Sequence, residues 1–443
     1  MFANSFNNFN NNSFQAMMYY KPIQNSSKIS EYNDTSFINS VLQVLSSLDC
    51  VRLWVNNLNN NRQSLFNSQC IITRELYSIF FSLYNGQNVD SYNFILNYNN
   101  KYKSVYNNNK LHDDPYHFLF FLIDLIHAEN NYPPNPNFNL NLLQNRKIEE
   151  LKNDNFMFNF FCSFYQQTQN SFISNYFYNI IKNEIDCEFC SKLYFYTFKY
   201  ILKFDIEQYK IYRNQATPEK TIQNLSFEEC FDCFTGGNIK KCNNCNQPNS
   251  KFFSSITGNS KILIIALIRK NHVFKCDVDF TNKLNIFPYC DTKNKNKTSY
   301  NLKACISMCN PGEYFSDILI NNYWYRYYKD NMKMLGDVKK EIHTFEPQLL
   351  IYELEENNIQ NGQSFNTPNN FCNNINQAIM NNQFNNIGFM PIQNWQQMMM
   401  QQHNNSMGQM QMNQNIYLLV IIIIINFYYI NIHILKLNFI FLF

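Results

Sequence analysis

The chain has 443 residues, of which 45% are hydrophobic, and a net charge of +3 from 36 basic and 33 acidic side chains. This near balance excludes a general electrostatic attraction to nucleic acid or to acidic surfaces, so specific contacts must select the partner. Fourteen cysteines, and a start without a basic segment followed by an apolar one, indicate a reducing cytoplasmic or nuclear setting. Paired cysteines in such a setting favour metal binding over disulfides.

Composition divides the chain into a folded region with two flanks and an apolar tail. Residues 1–24 are rich in Asn and Phe, and residues 356–415 in Asn, Gln and Met, which predicts disorder in both. Residues 25–355 alternate helical and strand-like apolar patterns with short polar breaks, which is typical of a folded domain.

The first predicted helix lies in the segment NDTSFINSVLQVL, residues 33–45, where apolar residues recur at helical spacing. It is preceded by Asp34, Thr35 and Ser36, which are all good N-cap residues and could serve only to begin the helix. A second helix is predicted in residues 112–129, with the sequence HDDPYHFLFFLIDLIHAE. Taken alone, that pattern is typical of any core helix.

Two Cys-x-x-Cys pairs offer the four thiolates of a tetrahedral structural zinc site; the alternative is that these cysteines are buried without a metal. They are Cys187, Cys190, Cys242 and Cys245. A third pair, Cys230 and Cys233, falls in a segment with the pattern of a core helix and is interpreted as structural.

Beyond residue 190 the pattern changes to short segments rich in β-branched and aromatic residues, separated by turn formers. These predicted strands are residues 261–269, 300–308, 323–328 and 348–354. Helices early in the chain and strands late predict an α+β domain.

The last segment, residues 416–443, is almost wholly apolar and long enough to span a bilayer as a tail anchor. Asn426, Asn431, His433 and Lys436 interrupt it, and polar groups at bilayer depth are costly. The alternative is that this segment is an AT-rich stretch read through at a gene-model boundary. A membrane as partner is predicted only through this segment.

Five segments, taken in order, resemble the motifs of ubiquitin-specific proteases. Residues 33–45 are similar to GNTCYMNSxLQxL, and residues 112–129 to QQDAxEFL followed by LLDxLHxE. The sequence GEYFSD at residues 312–317 stands where the family has GHYxAY, and residues 324–330 and 348–352 are similar to its closing strands. The resemblance covers about 330 residues and implies the papain-like fold of that family, with fingers, palm and thumb. It also implies that zinc joins the finger strands that grip ubiquitin.

The resemblance also assigns functional positions. Ser36 stands in place of the nucleophilic cysteine, Glu313 in place of the histidine base, and Asp34 in place of the oxyanion-binding asparagine. The third triad residue aligns with Lys329, or with Asp330 if the strand slips by one. Two further residues are expected to contact the substrate, namely Asp114 and Tyr314.

These replacements predict that the chemistry fails. A hydroxyl is far less acidic than a thiol, and a carboxylate with an ordinary pKa of about 4.3 is a poor base near neutrality. An ionised aspartate cannot donate a hydrogen bond to an oxyanion. We therefore predict an inactive domain that binds ubiquitin or a related modifier, or that acts as a scaffold for a protein partner. The alternatives are an active deubiquitinase and a tail-anchored membrane protein that has lost modifier binding.

Overall fold

The computed structural model describes residues 28–30, 35–60, 70–106, 114–132, 147–216, 224–242, 244–269, 276–294, 297–329, 331–336, 341 and 345–355. All of these belong to one of the two compact units into which the chain divides. The second unit, Asn137–Gln144 with Gly388–Phe443, lies outside the described residues, as do the predicted segments 1–24, 356–415 and 416–443. No helix within the described residues is long and apolar enough to cross a membrane.

The first half of the domain is helical, as the apolar spacing predicts. The described helices are α1 Ser36–Ser47, α2 Asp49–Asn60, α3 Ile71–Tyr84, α4 Tyr92–Tyr106, α5 Pro115–Asn130, α6 Ile148–Leu151, α7 Asp154–Thr168, α8 Phe172–Tyr176, α9 Ile206–Ala216 and α10 Phe227–Thr235. Helix α1 buries nearly all its side chains, and α10 carries Cys230 into the core, as its pattern predicts.

The strands dominate the second half, which confirms the α+β prediction. They are β1 Ile29–Ser30, β2 Val89–Asp90, β3 Asn179–Cys187, β4 Ser191–Lys199, β5 Ile201–Asp205, β6 Asn224–Ser226, β7 Asn238–Lys240, β8 Ser250–Gly258, β9 Ile262–Ile268, β10 Asp277–Asp279, β11 Lys283–Asn285, β12 Ser299–Asn310, β13 Glu313–Ile320, β14 Tyr323–Tyr328, β15 Asn331–Met334 and β16 Glu346–Leu354.

Eight strands form the larger sheet, in the order β15-β14-β13-β12-β16-β9-β5, with β11 also paired to β12. Neighbours are antiparallel except β5 and β9, which run parallel. Strand β9 has the sequence ILIIALI and is buried almost throughout, which is typical of an interior strand covered on both faces. Four strands form the second sheet, in the order β4-β3-β8-β7.

Helix α1 joins the helical half to the larger sheet. It lies against β12, β13 and β14 on one side and against α5 on the other. Phe37 of α1 packs edge-to-face on Phe118 of α5, with ring centroids 5.8 Å apart. This packing holds the N-terminus of α1 against the hairpin formed by β12 and β13.

A buried ion pair stabilises the sheet beneath this hairpin. Arg326 Nε and one terminal nitrogen each donate to Asp317 across 2.8 Å. The guanidinium carbon lies 4.3 Å from the ring centroid of Phe315 and 4.8 Å from that of Phe345. Asp317 is fully buried, and this burial raises the pKa of its carboxyl despite the ion pair. The carboxylate therefore depends on Arg326 to remain charged.

We expect Arg326→Gln to lower the free energy of unfolding by about 3–5 kcal/mol at pH 7, because it leaves a buried carboxylate without its cation. Denaturant unfolding measures this. A carboxyl whose pKa is raised by folding loses stability as the pH rises, so the defect should shrink toward pH 4. Adding Asp317→Asn should recover part of the loss; a double variant as unstable as the single one would contradict the assignment.

Candidate active site

The N-terminus of α1 meets the turn between β12 and β13 at Ser36. Ser36 is the first residue of the helix and is 5% exposed. Its hydroxyl donates to the carbonyl of Gly312 at 3.3 Å and accepts from the N–H of Tyr314 at 3.1 Å. The hydroxyl therefore bridges the helix and the hairpin, and its proton is directed at a backbone carbonyl.

The N-cap of α1 is Thr35 rather than Ser36. Thr35 makes no side-chain capping hydrogen bond, and the first turn holds no acidic residue. Ser36 lies inside the helix, at the position where a side chain can face the hairpin. Asp34 lies outside the described residues, so its role stays a prediction.

Glu313 begins β13 and receives hydrogen bonds from three side chains. Asn310 Nδ2 and the Tyr328 hydroxyl donate to Oε2 at 2.7 and 3.1 Å, and Lys329 Nζ donates to Oε1 at 2.9 Å. The hydrogen bonds from Asn310, Lys329 and Tyr328 lower the pKa of Glu313 to about 2. The carboxylate is therefore a weaker base than its ordinary pKa indicates.

Of the two candidates for the third position, Lys329 contacts Glu313, whereas Asp330 lies outside the described residues. Lys329 directly follows β14 and has a φ of 51°. Hydrogen bonding to Glu313 raises the pKa of its ammonium, so both partners are charged at neutral pH. At the position where the resemblance implies a histidine, the structure has the carboxylate of Glu313. At the position where it implies a carboxylate, the structure has the ammonium of Lys329, so the acidic and basic members of the pair are exchanged.

Two partners of Glu313, Asn310 and Tyr328, were not predicted from the sequence. The sequence NPGE at residues 310–313 has the residues of a tight turn, and this signal could have placed Asn310 opposite Glu313. The contact with Tyr328 depends on the pairing of β13 with β14. That register could not be read from local sequence.

We expect the Glu313 carboxyl to titrate with a midpoint of about 2 in the folded chain, and Lys329→Met to raise that midpoint toward the ordinary value of about 4.3. Stability from these contacts is present above the unfolded pKa and is lost as the pH falls through the folded one. Side-chain carboxyl NMR measures the midpoint. Lys333→Met is a matched control, since that lysine pairs instead with Glu341; an equal shift in both variants would contradict the assignment.

The two predicted substrate contacts have defined places in the fold. Asp114 caps α5: its carboxylate accepts from the N–H of His117 at 2.9 Å and lies 2.5 Å from Nδ1 of the same residue. Tyr314 is 3% exposed, and its N–H is directed at Ser36. Their contact with a substrate stays a prediction.

The two Cys-x-x-Cys pairs meet at one end of the four-stranded sheet. The sulfur atoms of Cys187, Cys190, Cys242 and Cys245 all lie within 4.8 Å of one another, and none of these cysteines is in a disulfide. A tetrahedral metal with metal–sulfur bonds of about 2.3 Å separates its ligand atoms by about 3.8 Å. The distance of 3.6 Å between the sulfurs of Cys187 and Cys245 is close to that value, so these residues could hold a metal.

Residues 29–352 match the family model described as ubiquitin carboxyl-terminal hydrolase. The chain belongs to this family. Structures of the SAGA DUB module show the same fold. A chain of the yeast module with mutant Sgf73 has 17% identity and a TM-score of 0.53, over 78% of this chain and 75% of that chain. The papain-like ubiquitin-specific protease fold is thereby confirmed.

Two further structures of this module contain ubiquitin or a derivative. A chain of the Ubp8, Sgf11, Sus1 and Sgf73 module bound to monoubiquitin has 18% identity and a TM-score of 0.54, over 78% of this chain and 74% of that chain. A chain of the module bound to ubiquitin aldehyde has 17% identity and a TM-score of 0.52, over 77% and 73%. No curated protein matches the sequence.

Proposed function

We propose that this chain is a catalytically silent member of its family that binds ubiquitin or a related modifier. The observation that carries the proposal is the ion pair between Glu313 and Lys329 at the second and third family positions. Glu313 is ion-paired with Lys329, and the hydroxyl of Ser36 is hydrogen-bonded to the backbone of Gly312 and Tyr314. The site therefore has no imidazole-like base positioned to take a proton from Ser36.

Hydrolysis by this family requires a nucleophile, a base that takes its proton and later returns it, and a group that orients that base. A carboxylate with a pKa of about 2 is protonated at pH 7 in only roughly one molecule in 10⁵, so it holds a proton too weakly to take one from a hydroxyl. Disabling such a triad typically costs roughly a million-fold in rate. Turnover should therefore be negligible.

Modifier binding is supported by the retained architecture rather than by the altered site. The four-stranded sheet, the larger sheet and α5 are all present in the described part of the chain. Structures with the same fold are bound to monoubiquitin and to ubiquitin aldehyde. We propose that the four-stranded sheet holds the modifier. We also propose that this chain binds protein partners, because structures of the same fold belong to a module that contains Ubp8, Sgf11, Sus1 and Sgf73.

The proposed metal at the four cysteines is zinc. The four sulfur donors and their spacing fit tetrahedral zinc, and three of the four side chains are buried. When bound, zinc would supply structural cross-linking of the two turns. Cys187 and Cys190 flank the turn between β3 and β4, and Cys242 and Cys245 lie between β7 and β8.

Titration of labelled ubiquitin with the full chain tests modifier binding. We expect saturable binding, and we expect Ser36→Ala to bind within about twofold of the parent, because Ser36 contacts the protein's own backbone. Absence of saturable binding up to about 100 µM, an affinity weaker than about −5.5 kcal/mol, would reject the proposal.

A further inference from the structure

Three lysines from three different strands come together near the junction of the two sheets. Lys199 ends β4, Lys203 lies on β5 and Lys240 ends β7, and all three side chains are exposed. Lys199 Nζ lies 5.8 Å from the ring centroid of Phe234 on α10, and Lys203 Nζ lies 5.5 Å from that of Tyr116 on α5. We call these three lysines the lysine cluster.

The charge of this cluster is not compensated by the described part of the chain. Lys199 and Lys240 form no ion pair with any described acidic side chain. Desolvation by the surrounding protein lowers the pKa of Lys199, the charges of Lys240 and Lys203 lower it further, and no described carboxylate opposes them. The cations therefore repel one another in the free protein, and a bound anionic group would relieve that repulsion.

Other lysines on the two sheets are paired. Lys192 on β4 lies 2.8 Å from a carboxylate oxygen of Glu184, and Lys303 on β12 lies 3.2 Å from one of Glu353. Lys199 differs, because the described groups that act on its charge are two further cations and an aromatic ring. A single exposed lysine needs no functional explanation, whereas like charges gathered from three strands favour a binding surface.

The surroundings of the cluster indicate the kind of partner. Acidic groups border it: Asp205 lies two residues after Lys203 on β5, and burial together with the carboxylate of Asp114 raises the pKa of Tyr116. A nucleic acid needs a basic track along which successive phosphates are neutralised. A short acidic peptide needs only a few cations, so the bordered cluster fits a peptide better than a nucleic acid.

We propose that the lysine cluster binds an acidic segment of a protein partner, with carboxylates of that segment on Lys199, Lys203 and Lys240. The inference deepens the proposed function and rests on its statement that this chain binds protein partners. It names the surface and the chemistry of one such partner. Because the contact is between exposed charges, its affinity should fall as the salt concentration rises.

The test is a titration of the full chain into a fluorescein-labelled peptide in which Glu alternates with Ser, at about 0.1 M salt, with anisotropy as the readout. We expect saturable binding that the corresponding peptide of Gln and Ser does not show. Lys199→Met should weaken binding at least about fivefold, which corresponds to one exposed ion pair of about 1 kcal/mol. Without peptide, this variant should be at least as stable as the parent in denaturant unfolding, because it removes a charge that its neighbours repel.

Lys192→Met is the matched control. Lys192 lies on the same strand, is exposed and pairs with Glu184. Seven residues separate it from Lys199, which places the two side chains on opposite faces and about 23 Å apart along the strand. That distance exceeds the Debye length of about 10 Å at 0.1 M salt, so this variant should bind the peptide as the parent does.

Three results would overturn the proposal: no saturable binding of the Glu peptide by the parent up to about 1 mM, an equal effect of the two variants, or tighter binding of a single-stranded oligonucleotide that Lys199→Met weakens. The titration contains no ubiquitin. Ubiquitin binding that persists when the peptide fails would therefore reject this surface and leave modifier binding intact.

Discussion

The full chain carrying Ser36→Cys, Glu313→His and Lys329→Asp is expected to hydrolyse ubiquitin with a fluorogenic C-terminal group at least about a thousandfold faster than the parent. An intact triad is worth roughly a million-fold in rate. By the family resemblance, Asp34 is predicted to stand at the oxyanion position, and a missing donor there typically costs about a hundred- to a thousandfold. Dividing the million-fold gain from the triad by the largest of these losses leaves a rate increase of about a thousandfold. Adding Asp34→Asn should raise the rate further.

Single substitutions show whether the inactivity comes from all three altered positions or only from the serine in place of the nucleophilic cysteine. Ser36→Cys alone should gain little, because the base position would still hold an ion-paired carboxylate. Triad members act as a unit, so their effects do not add. The matched control is the triple variant with Glu313→Gln in place of Glu313→His. If the single variant were as active as the triple one, Glu313 would be a competent base and the account would be wrong.

Cys242→Ser is expected to abolish zinc binding and to open the end of the four-stranded sheet that carries the cysteines. Structural zinc contributes directly to folding free energy, on the order of 10 kcal/mol in isolated zinc fingers. We expect one zinc per parent chain by elemental analysis and none in the variant. Hydrogen exchange in β3 and β8 should accelerate by at least about a hundredfold, since the loss is local to that sheet.

Cys233→Ser provides the control for this result. Cys233 belongs to the third Cys-x-x-Cys pair, lies on α10 and is not among the four clustered cysteines. This variant should retain its zinc and its exchange protection. A parent chain free of zinc after purification without chelators, or equal zinc loss in both variants, would contradict the assignment.

The sequence predicted the elements whose pattern is local. The period of apolar residues anticipated α1 and α5, and the apolar run from residue 261 anticipated β9, because burial on one or both faces determines those patterns. The two Cys-x-x-Cys pairs anticipated a cluster of four sulfurs, and the family resemblance placed that cluster on the finger strands. The helices and the strand were predictable because burial imposes a pattern on residues close in sequence. The cluster was predictable because cysteine pairs at this spacing are typical metal ligands.

The parts that escaped prediction depend on long-range register. The hydrogen bonds of Ser36 to the turn at Gly312 and Tyr314 require α1 to pack against β13. The partners of Glu313 require the pairing of β13 with β14. A carboxylate in a family position indicates altered chemistry, but only the fold shows that its charge is neutralised by Lys329 rather than directed at Ser36.

One measurement tests the central claim most directly: the full chain is titrated into ubiquitin that bears a fluorogenic C-terminal group, with anisotropy reporting binding and intensity reporting cleavage. The account predicts saturable binding with no release of the fluorophore above the uncatalysed rate. Release at saturation that Ser36→Ala abolishes would contradict it, because the Ser36 hydroxyl would then be a working nucleophile despite the ion-paired Glu313.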